Sequence, residues 1–405
     1  MIAAAIHTLF FILFIYLSVN ILYLLILAIA GRISKSKNYP IHPRKKKFAA
    51  LITSYKEDDT IVQTIREAVD HDYPKDSFDV YLAADQLRDD TIKELQTFRA
   101  YILPVEFEIG SKARSLNYLL NFAGEKGYDA ALVLDGDNIM LPGCMEKINA
   151  AFQSGCSAVQ CHRMAKNTNT SMAILDAISE EINNHLFRKG QRALGFSAAT
   201  IGSGMAFEFS KLRQVYNKPG ILGNPACDRE VDFEMMKDHI VVEYLDNAYV
   251  LDEKVAHKEV FQRQRTRWME SQLIHLKLFF SRKEQAPDKT KDYWNKLFIN
   301  LAPPRMIFLA VLSFMLLLSA LETGLKKNIT GISFTSWAAL FCAYLLCLLL
   351  CIPARLFTFR SARAILHLPA VMFSFFKAAL RLKTGRKEFV HTPKSYTGEA
   401  ASTKD

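Results

Sequence analysis

The chain has 405 residues, half of them hydrophobic, and a formal net charge of +10 at pH 7. The apolar excess lies at the two ends, which favours a soluble middle flanked by membrane segments. Much of the positive charge lies beside the apolar runs, where it would face anionic lipid, so nucleic acid is not an expected partner. The seven cysteines form no C-x-x-C pair and predict neither a disulfide framework nor a zinc site.

The amino-terminal segment 1–31 predicts a transmembrane helix. Residues 2–31 contain no Asp, Glu, Lys or Arg, and a membrane-spanning helix needs about 20 such residues. The run is too long for a signal peptide and has no basic start, so we expect an uncleaved anchor. The basic juxtamembrane linker 32–47 follows, with seven Lys or Arg and no acid. By the positive-inside rule it places the next domain in the cytosol.

Residues 48–290 predict a cytosolic α/β domain. Short apolar runs predict strands at 48–53, 80–84, 105–107 and 130–134, and longer amphipathic stretches predict helices at 59–71, 113–125 and 257–280. This alternation predicts a mostly parallel sheet with helices on both faces. Ligands of such sheets bind beyond the carboxyl ends of the strands, so the polar residues after each strand are the candidates for function.

The carboxyl-terminal third predicts further membrane segments. Transmembrane helices are expected at 297–321 and 332–353, joined by a short link that suits a hairpin. The segment 364–380 is too short to span, and crossing would put the basic tail 381–405 outside. We therefore expect an interfacial amphipathic helix on the cytosolic side, with a short fourth span as the alternative. The whole predicts a multi-pass protein of the inner (plasma) membrane.

The motif Asp135-Gly136-Asp137 follows the strand predicted at 130–134. Two carboxylates one residue apart at a strand end can bind one hard cation, and Mg²⁺ leaves room for substrate phosphates. A polar turn is the structural alternative for so short a motif.

Polar residues also follow the first two predicted strands. Tyr55 and Glu57 belong to the string S-Y-K-E after the first, and Asp85 comes directly after the second. Tyr55 could flank a nucleobase, and the Asp85 carboxylate could accept a hydrogen bond from a ring N–H.

Two further motifs suit phosphate or a close approach of the backbone. Lys112, Arg114 and Asn117 form the string K-x-x-S-L-N at the start of a predicted helix, where two cations and the helix N-terminus favour an anion. Gly202-Ser203-Gly204 predicts a tight loop before another apolar run. Surface charge and a simple turn are the corresponding structural alternatives.

The acidic string 228–232 and the string Q-x-x-R-W complete the set. Acids at a helix start stabilise the helix dipole, but one of Asp228, Glu230 and Asp232 could instead serve as a general base. Gln264 and Trp268 share one helix face with Arg267 beside them. An Arg can pair with a diphosphate and a Trp can stack on a sugar ring, although an ordinary amphipathic helix explains the same pattern.

Taken in this order, the seven motifs resemble glycosyltransferase family 2 over about residues 48–280. Cellulose, chitin, hyaluronan and poly-N-acetylglucosamine synthases are similar in having Q-x-x-R-W and flanking membrane helices. The resemblance implies an α/β GT-A nucleotide-sugar-binding domain with N-terminal and C-terminal transmembrane helices. It also implies Mg²⁺ or Mn²⁺, inversion at the anomeric carbon, and a nucleotide-sugar donor, with a UDP-sugar as the first expectation.

The resemblance also implies roles for individual residues. Those expected to bind the donor are Tyr55, Glu57, Asp85, Lys112, Arg114, Asn117 and Asp135. Asp137 would bind the metal most directly, with Asp135 beside it. Those expected near the acceptor and diphosphate are Gly202, Ser203, Gly204, Gln264, Arg267 and Trp268.

Two positions depart from the family pattern. Aligning Asp232-Phe233 with the usual D-L places Arg229-Glu230 where E-D stands, so Glu230 becomes the expected base and Asp228 and Asp232 its rivals. The glycine often found after R-W is absent, since Met269, Glu270 and Ser271 follow Trp268.

The expected acceptor is a growing polysaccharide or other glycan. Transfer of one sugar to a polyprenyl phosphate or another lipid-linked acceptor is the alternative. A nucleotide-sugar sensor without turnover would not need Glu230 and two metal-binding acids. A transporter is disfavoured because the predicted spans carry no intramembrane acid. The sequence identifies no export partner.

Overall fold

The computed structural model describes residues 1–107, 111–223, 227–256, 258–281, 288–379 and 396. The strands are β1 (Phe48–Tyr55), β2 (Phe78–Asp85), β3 (Tyr101–Val105), β4 (Ala130–Asp135), β5 (Ile139–Met140), β6 (Ala158–Ala165), β7 (Met205–Glu208) and β8 (Val242–Asp252). The helices up to the sheet's last strand are α1 (Ile2–Ile33), α2 (Asp58–Val69), α3 (Asp89–Leu95), α4 (Lys112–Phe122), α5 (Cys144–Gln153), α6 (Ser171–Asn184), a π-helix (His185–Gly190), α7 (Gln191–Ala193), α8 (Phe209–Tyr216), α9 (Pro219–Leu222) and α10 (Cys227–Lys237). The later helices are α11 (Lys258–Ser281), α12 (Lys291–Leu301), α13 (Arg305–Gly324), α14 (Phe334–Cys351), a 3-10 turn (Ala354–Leu356), α15 (Phe359–Ile365) and α16 (Leu368–Ala379). His257 and, apart from Tyr396, the predicted tail 381–405 lie outside the described residues.

The strands form one sheet in the order β3-β2-β1-β4-β7-β6-β8-β5. Strands β3, β2, β1 and β4 are parallel, as the alternating pattern predicts. Strand β7 runs antiparallel to both β4 and β6, and β5 runs antiparallel to β8. The sheet is therefore mixed, which corrects the expectation of a mostly parallel sheet. Alternating strands and helices indicate that strands exist, but the direction in which a short strand such as β7 enters depends on the connection before it.

Helices cover both faces of the parallel half. Alternate residues of β1 pack on opposite faces, with Ile52 in the same cluster as Ile61 of α2, and Leu51 in the cluster of Leu116 of α4. Because both faces are buried, β1 is a continuous apolar run and not an alternating one. The continuous apolar run explains why the sequence predicted a strand at this position.

One predicted strand lies elsewhere. The structure places β3 at Tyr101–Val105, whereas the sequence pattern predicted 105–107. The segment contains Pro104, which cannot donate a hydrogen bond to a neighbouring strand. Strand β3 is at the edge of the sheet and, among the described strands, pairs only with β2, so the proline is tolerated there.

Within the described ranges, three helices, α1, α13 and α14, are long and apolar enough to cross a membrane. The predicted span 297–321 contains the end of α12 and most of α13, because Pro303 and Pro304 separate the two helices. The predicted interfacial segment 364–380 contains the end of α15 and helix α16. Which helices cross, and in which direction, stays a prediction.

Helix α1 continues past its membrane-length stretch and packs against the π-helix. His185 Nε2 lies 2.8 Å from the Ala28 carbonyl oxygen. A Cβ on Gly190 would overlap the Leu27 carbonyl oxygen, and one on Gly31 would lie 2.8 Å from His185 Nε2. The two glycines allow backbone to approach backbone, which joins the α/β domain directly to α1.

We expect Gly190→Ala to lower the melting temperature of the purified protein in detergent. The added methyl group must push α1 away from the π-helix, at a cost of about 1–3 kcal/mol. Gly223→Ala is the control, because a Cβ there meets no atom of the described residues within 4 Å. Equal melting temperatures for the two variants would contradict this packing.

Candidate active site

The carboxyl ends of β1, β2 and β4 lie side by side at one edge of the sheet. Tyr55 is in register with Asp85, and Thr53 with Asp135. The residues after β1 and β2, Lys56 and Gln86, both have positive φ angles, 55° and 54°, and turn the chain sharply away from the sheet. The predicted strand-end residues therefore meet at a single edge.

Three carboxylates converge at this edge. Oxygen atoms of Asp135, Asp137 and Asp252 all lie within 4.8 Å of one another. Asp137 is only 1% exposed and its Oδ2 accepts the backbone N–H of Glu253 at 2.7 Å. Asn138 donates to Asp252 Oδ1 at 3.4 Å. A set of oxygen ligands from carboxylates fits a hard divalent cation such as Mg²⁺ or Mn²⁺.

Asp252 was missed in the sequence, although the signal for it existed. It ends the apolar strand β8, as Asp135 ends β4, so the same strand-end rule applied further along the chain would have found it. Its closeness to the D-G-D motif was not predictable, because it depends on β5. Ile139 of β5 pairs with Leu251, and this brings the turn after β4 against the end of β8.

The D-G-D turn is held in place by neighbouring elements. Thr64 of α2 donates to the Gly136 carbonyl at 2.8 Å. The Glu57 carboxylate occupies the space where a Cβ on Gly136 would lie, so Glu57 contacts this turn directly. On the other side, Lys112 forms an ion pair with Asp135.

The loop at 202–204 lies between Lys112 and α10. A Cβ on Gly202, which has a φ of +85°, would be 3.6 Å from Lys112 Nζ and 3.4 Å from Asp228 Cβ. Ser203 Oγ accepts from Arg163 at 3.2 Å. The buried Gln160 donates to the carbonyls of Ser203 and Gly204 at 3.0 and 2.9 Å. The loop is thus built into the wall of the site.

Asp85 has an unusual environment. It is 1% exposed, and its Oδ1 has no hydrogen-bond partner among the described residues. Burial raises the pKa of Asp85 to about 6, and nearby Glu106 adds to the rise while the Phe107 backbone N–H opposes it. A buried acceptor without a partner is the arrangement expected where a ligand N–H completes the hydrogen bond.

The three acids of α10 differ in surroundings. Glu230 is 1% exposed. Asp228 is half-buried and lies beside Gly202. Asp232 accepts from Lys296 of α12 at 2.5 Å. Asp232 thus fastens α10 to α12, and Asp228 is the acid of this string that lies beside the glycine loop.

Helix α11 brings Arg267 close to Asp228 and Asp135. Burial lowers the pKa of Arg267, while the nearby carboxylates of Asp228 and Asp135 oppose that shift. Gln264 has a buried Oε1 without a partner among the described residues. One face of the Trp268 ring is covered by the Arg265 guanidinium, 4.0 Å from the ring centroid.

Two predicted donor-binding residues lie away from the carboxylates. Arg114 is exposed on α4. Asn117 donates to the Tyr216 carbonyl at 3.0 Å and to Asn217 Oδ1 at 2.7 Å, so it fastens α4 to the end of α8. Their roles in donor binding stay predictions, as do those of the other predicted site residues.

The chain belongs to the family described as glycosyltransferase like family 2, whose sequence model matches residues 43–271, more than half of its length. The protein is therefore a glycosyltransferase. It matches none of the curated protein sequences with which it was compared.

Solved structures share the fold. The mannosyltransferase PcManGT from Pyrobaculum calidifontis, in complex with GDP-Man and Mn²⁺, has a TM-score of 0.59 at 15% sequence identity, covering 94% of this chain and 98% of that one. Residues 1–349 of TarS from S. aureus, in complex with UDP-GlcNAc, are more distant, with a TM-score of 0.42 at 12% identity and coverage of 82% and 92%. The family match and the mannosyltransferase structure confirm the α/β GT-A-like domain, whereas the specific likeness to polysaccharide synthases stays a prediction.

We expect Asp252→Asn to weaken Mn²⁺ binding by about tenfold or more, because it removes one anionic oxygen ligand while keeping the side-chain shape. Electron paramagnetic resonance of Mn²⁺, titrated into the protein without substrate, measures this directly. Glu253→Gln, one residue further on and outside the cluster of three carboxylates, should bind Mn²⁺ normally. Unchanged affinity in Asp252→Asn would remove Asp252 from the ligand set.

Proposed function

We propose that this protein is an inverting glycosyltransferase of the cytosolic membrane face. It moves a sugar from a nucleotide-sugar donor to a hydroxyl group of a glycan acceptor. The observation that carries the proposal is the meeting of Asp135, Asp137 and Asp252 at the same sheet edge as Asp85, whose Oδ1 has no hydrogen-bond partner among the described residues. The three carboxylates suit a metal that binds a diphosphate, and Asp85 suits a nucleobase.

The donor would lie across the ends of β1, β2 and β4. Its base would lie beside Tyr55, with a ring N–H donating to Asp85 Oδ1. Asp135, Asp137 and Asp252 would hold the divalent metal, which when bound neutralises charge on the diphosphate as a Lewis acid. Lys112 and Arg267, which both lie close to Asp135, would contact the phosphates from two sides.

Transfer needs one displacement. The acceptor hydroxyl oxygen attacks the anomeric carbon from the face opposite the leaving group, and its proton passes to the Glu230 carboxylate. The bond between the anomeric carbon and the phosphate oxygen breaks, and the nucleoside diphosphate leaves with the electron pair. Because only one bond is exchanged at that carbon, the configuration inverts, and no covalent sugar–enzyme intermediate is required.

The membrane location is supported by α1, α13 and α14 and by the basic linker 32–47. With the linker in the cytosol, α1 enters from outside, α13 leaves and α14 returns. Arg360 and Arg363, which follow α14, then lie on the cytosolic side with the α/β domain. The acceptor would reach the site from the membrane side of that domain.

The proposal is tested by incubating membranes that contain the protein with radiolabelled UDP-, GDP- and dTDP-sugars in the presence of Mg²⁺ or Mn²⁺. Incorporation from one donor, abolished by EDTA and by Asp137→Ala, is the expected result. Incorporation into a lipid extract instead of a polymer would favour the alternative acceptor, a polyprenyl phosphate. Donor binding without hydrolysis or transfer under any condition would favour a sensor.

We expect Glu230→Gln to reduce transfer by about 10²-fold or more and to leave donor affinity nearly unchanged, because the amide keeps the shape of the side chain but cannot take the proton. Single-turnover kinetics and donor titration measure the two effects separately. Asp232→Asn is the matched control, since Asp232 pairs with Lys296. A dead Asp228→Asn beside an active Glu230→Gln would assign the base to Asp228.

Donor affinity should depend on the ionisation of Asp85, whose pKa is raised to about 6. The ionised carboxylate accepts the base N–H more strongly than the neutral acid does, so affinity should be constant above pH 7. It should fall by up to about tenfold for each pH unit below 6. Calorimetry with a UDP-sugar, whose diphosphate diester does not titrate in this range, is the measurement. Asp85→Asn should bind with no such dependence, and an unchanged pH profile in that variant would locate the titrating group elsewhere.

A further inference from the structure

Asp252, one of the three carboxylates that fit a divalent metal, also belongs to a ring of four buried charges. Its Oδ2 accepts from the Lys254 ammonium at 2.7 Å, and its Oδ1 lies 3.7 Å from Arg163 Nη1. The same two cations pair with Glu180 of α6, whose Oε2 is 3.1 Å from Arg163 Nη2 and 3.7 Å from Lys254 Nζ. Positive and negative charges therefore alternate around the ring.

Water screens the charges of this ring only weakly. Lys254 is 2% exposed, Glu180 5%, Asp252 7% and Arg163 8%. The two cations and two carboxylates balance one another, which is how buried charge is normally accommodated. Because the surroundings are buried, a change of charge at one member alters the electrostatic energy of the other three more than it would at the surface.

The Asp252 carboxylate has two competing uses. In the ring it neutralises Lys254 and Arg163, and in the carboxylate cluster one of its oxygen atoms lies within 4.8 Å of those of Asp135 and Asp137. A divalent cation bound by that cluster and the Lys254 ammonium would repel each other, because both are positive and both contact the same carboxylate. The charge of Lys254 therefore lowers the affinity of the cluster for a metal.

Lys254 can change partner without a movement of its backbone. Its N–H donates to Asn167 Oδ1 at 2.7 Å and its carbonyl accepts from Asn167 Nδ2 at 3.1 Å, which fixes the main chain. Lysine carries its charge at the end of a flexible four-carbon stem. The ammonium can therefore move from Asp252 toward Glu180 by rotation of side-chain bonds alone.

We propose that Lys254 is an internal counter-cation of the metal site, which pairs with Asp252 until a metal binds there and then moves toward Glu180. Glu180 is thus a positioning residue for the metal site, acting through Lys254 and Arg163. The inference rests on the proposed metal-dependent transfer. It adds that the metal affinity is set by charged residues outside the three carboxylates.

The test is titration of Mn²⁺ into the purified full chain without substrate, followed by electron paramagnetic resonance. Lys254→Met, which keeps much of the side-chain volume and removes the charge, should bind Mn²⁺ about tenfold more tightly, because no ammonium then competes for Asp252. Glu180→Gln should bind Mn²⁺ about tenfold more weakly, because Lys254 and Arg163 then pair with Asp252 alone. The double variant should lie between the two.

Glu181→Gln is the matched control for removal of a buried carboxylate from α6. Glu181 follows Glu180 in the chain but pairs with His162 and Arg355, which lie outside the ring, so its Mn²⁺ affinity should equal that of wild type. Melting temperatures in EDTA show whether each variant is folded, and Lys254→Gln replaces Lys254→Met if the methionine variant is not. The rise in melting temperature on adding Mn²⁺ should be largest in the variant that lacks the lysine, since a ligand stabilises the native state according to its affinity.

Shifts of opposite sign in Lys254→Met and Glu180→Gln distinguish a counter-cation from a structural support, because loss of a support for Asp252 weakens metal binding whichever residue is removed. Weaker Mn²⁺ binding in both variants would therefore overturn the proposal, and so would unchanged affinity in both. Either result can occur while wild type binds Mn²⁺ and transfers sugar, which would leave the proposed function standing. A wild type that binds no Mn²⁺ would remove the metal from both proposals.

Discussion

The buried carboxylate of Glu180 is the interaction on which the rest of the site depends. Burial alone would raise the pKa of Glu180, but Arg163, Lys254 and Arg188 outweigh it and hold the pKa at about 2. Each of the three cations then holds a different part of the site. Arg163 donates to Ser203 of the glycine loop, Lys254 to the metal-binding candidate Asp252, and Arg188 to the Ala199 carbonyl. Removing Glu180 would leave three buried cations short of a countercharge, which is far more damaging than losing a surface ion pair.

The same helix, α6, connects the carboxylate cluster to the membrane-length helices. Glu181 of α6 binds Arg355 just after α14, and Ser179 binds Arg305 at the start of α13. The π-helix that continues α6 packs its Gly190 against the α1 backbone. Three membrane-length helices therefore contact one short segment of the α/β domain. This segment, and not a flexible linker, joins the three carboxylates to the membrane-length helices.

The sheet edge where Asp135, Asp137 and Asp252 meet combines opposite charges at close range. Asp135 pairs with Lys112 and also belongs to the cluster that fits a divalent metal. A diphosphate brings the negative charge that Lys112, Arg267 and a metal together would neutralise. A glycosyltransferase needs this balance most when the nucleoside diphosphate leaves, because its charge increases in the transition state. Family membership and the GT-A-like fold agree with this arrangement.

The sequence by itself determined the features that are local. Strands β1, β2 and β4 and helices α2, α4 and α11 lie where their periodicity predicted them, since alternation and helical spacing act within a few residues. The D-G-D motif and Asp85 were visible because a polar residue after a buried strand is a local signal. Long charge-free runs showed α1 and α14 for the same reason.

Only the tertiary structure decided which distant residues meet. Asp252 joins Asp135 and Asp137 because β5 pairs with the end of β8 more than 100 residues further along the chain, as in the pair Ile139 and Leu251. The antiparallel direction of β7 and the position of three basic side chains around Glu180 likewise follow from the order in which strands and helices pack. Glu180 belongs to no motif, and its surroundings convert an ordinary helix residue into the centre of the site. A buried charge is defined by its partners in space, and a single sequence does not display them.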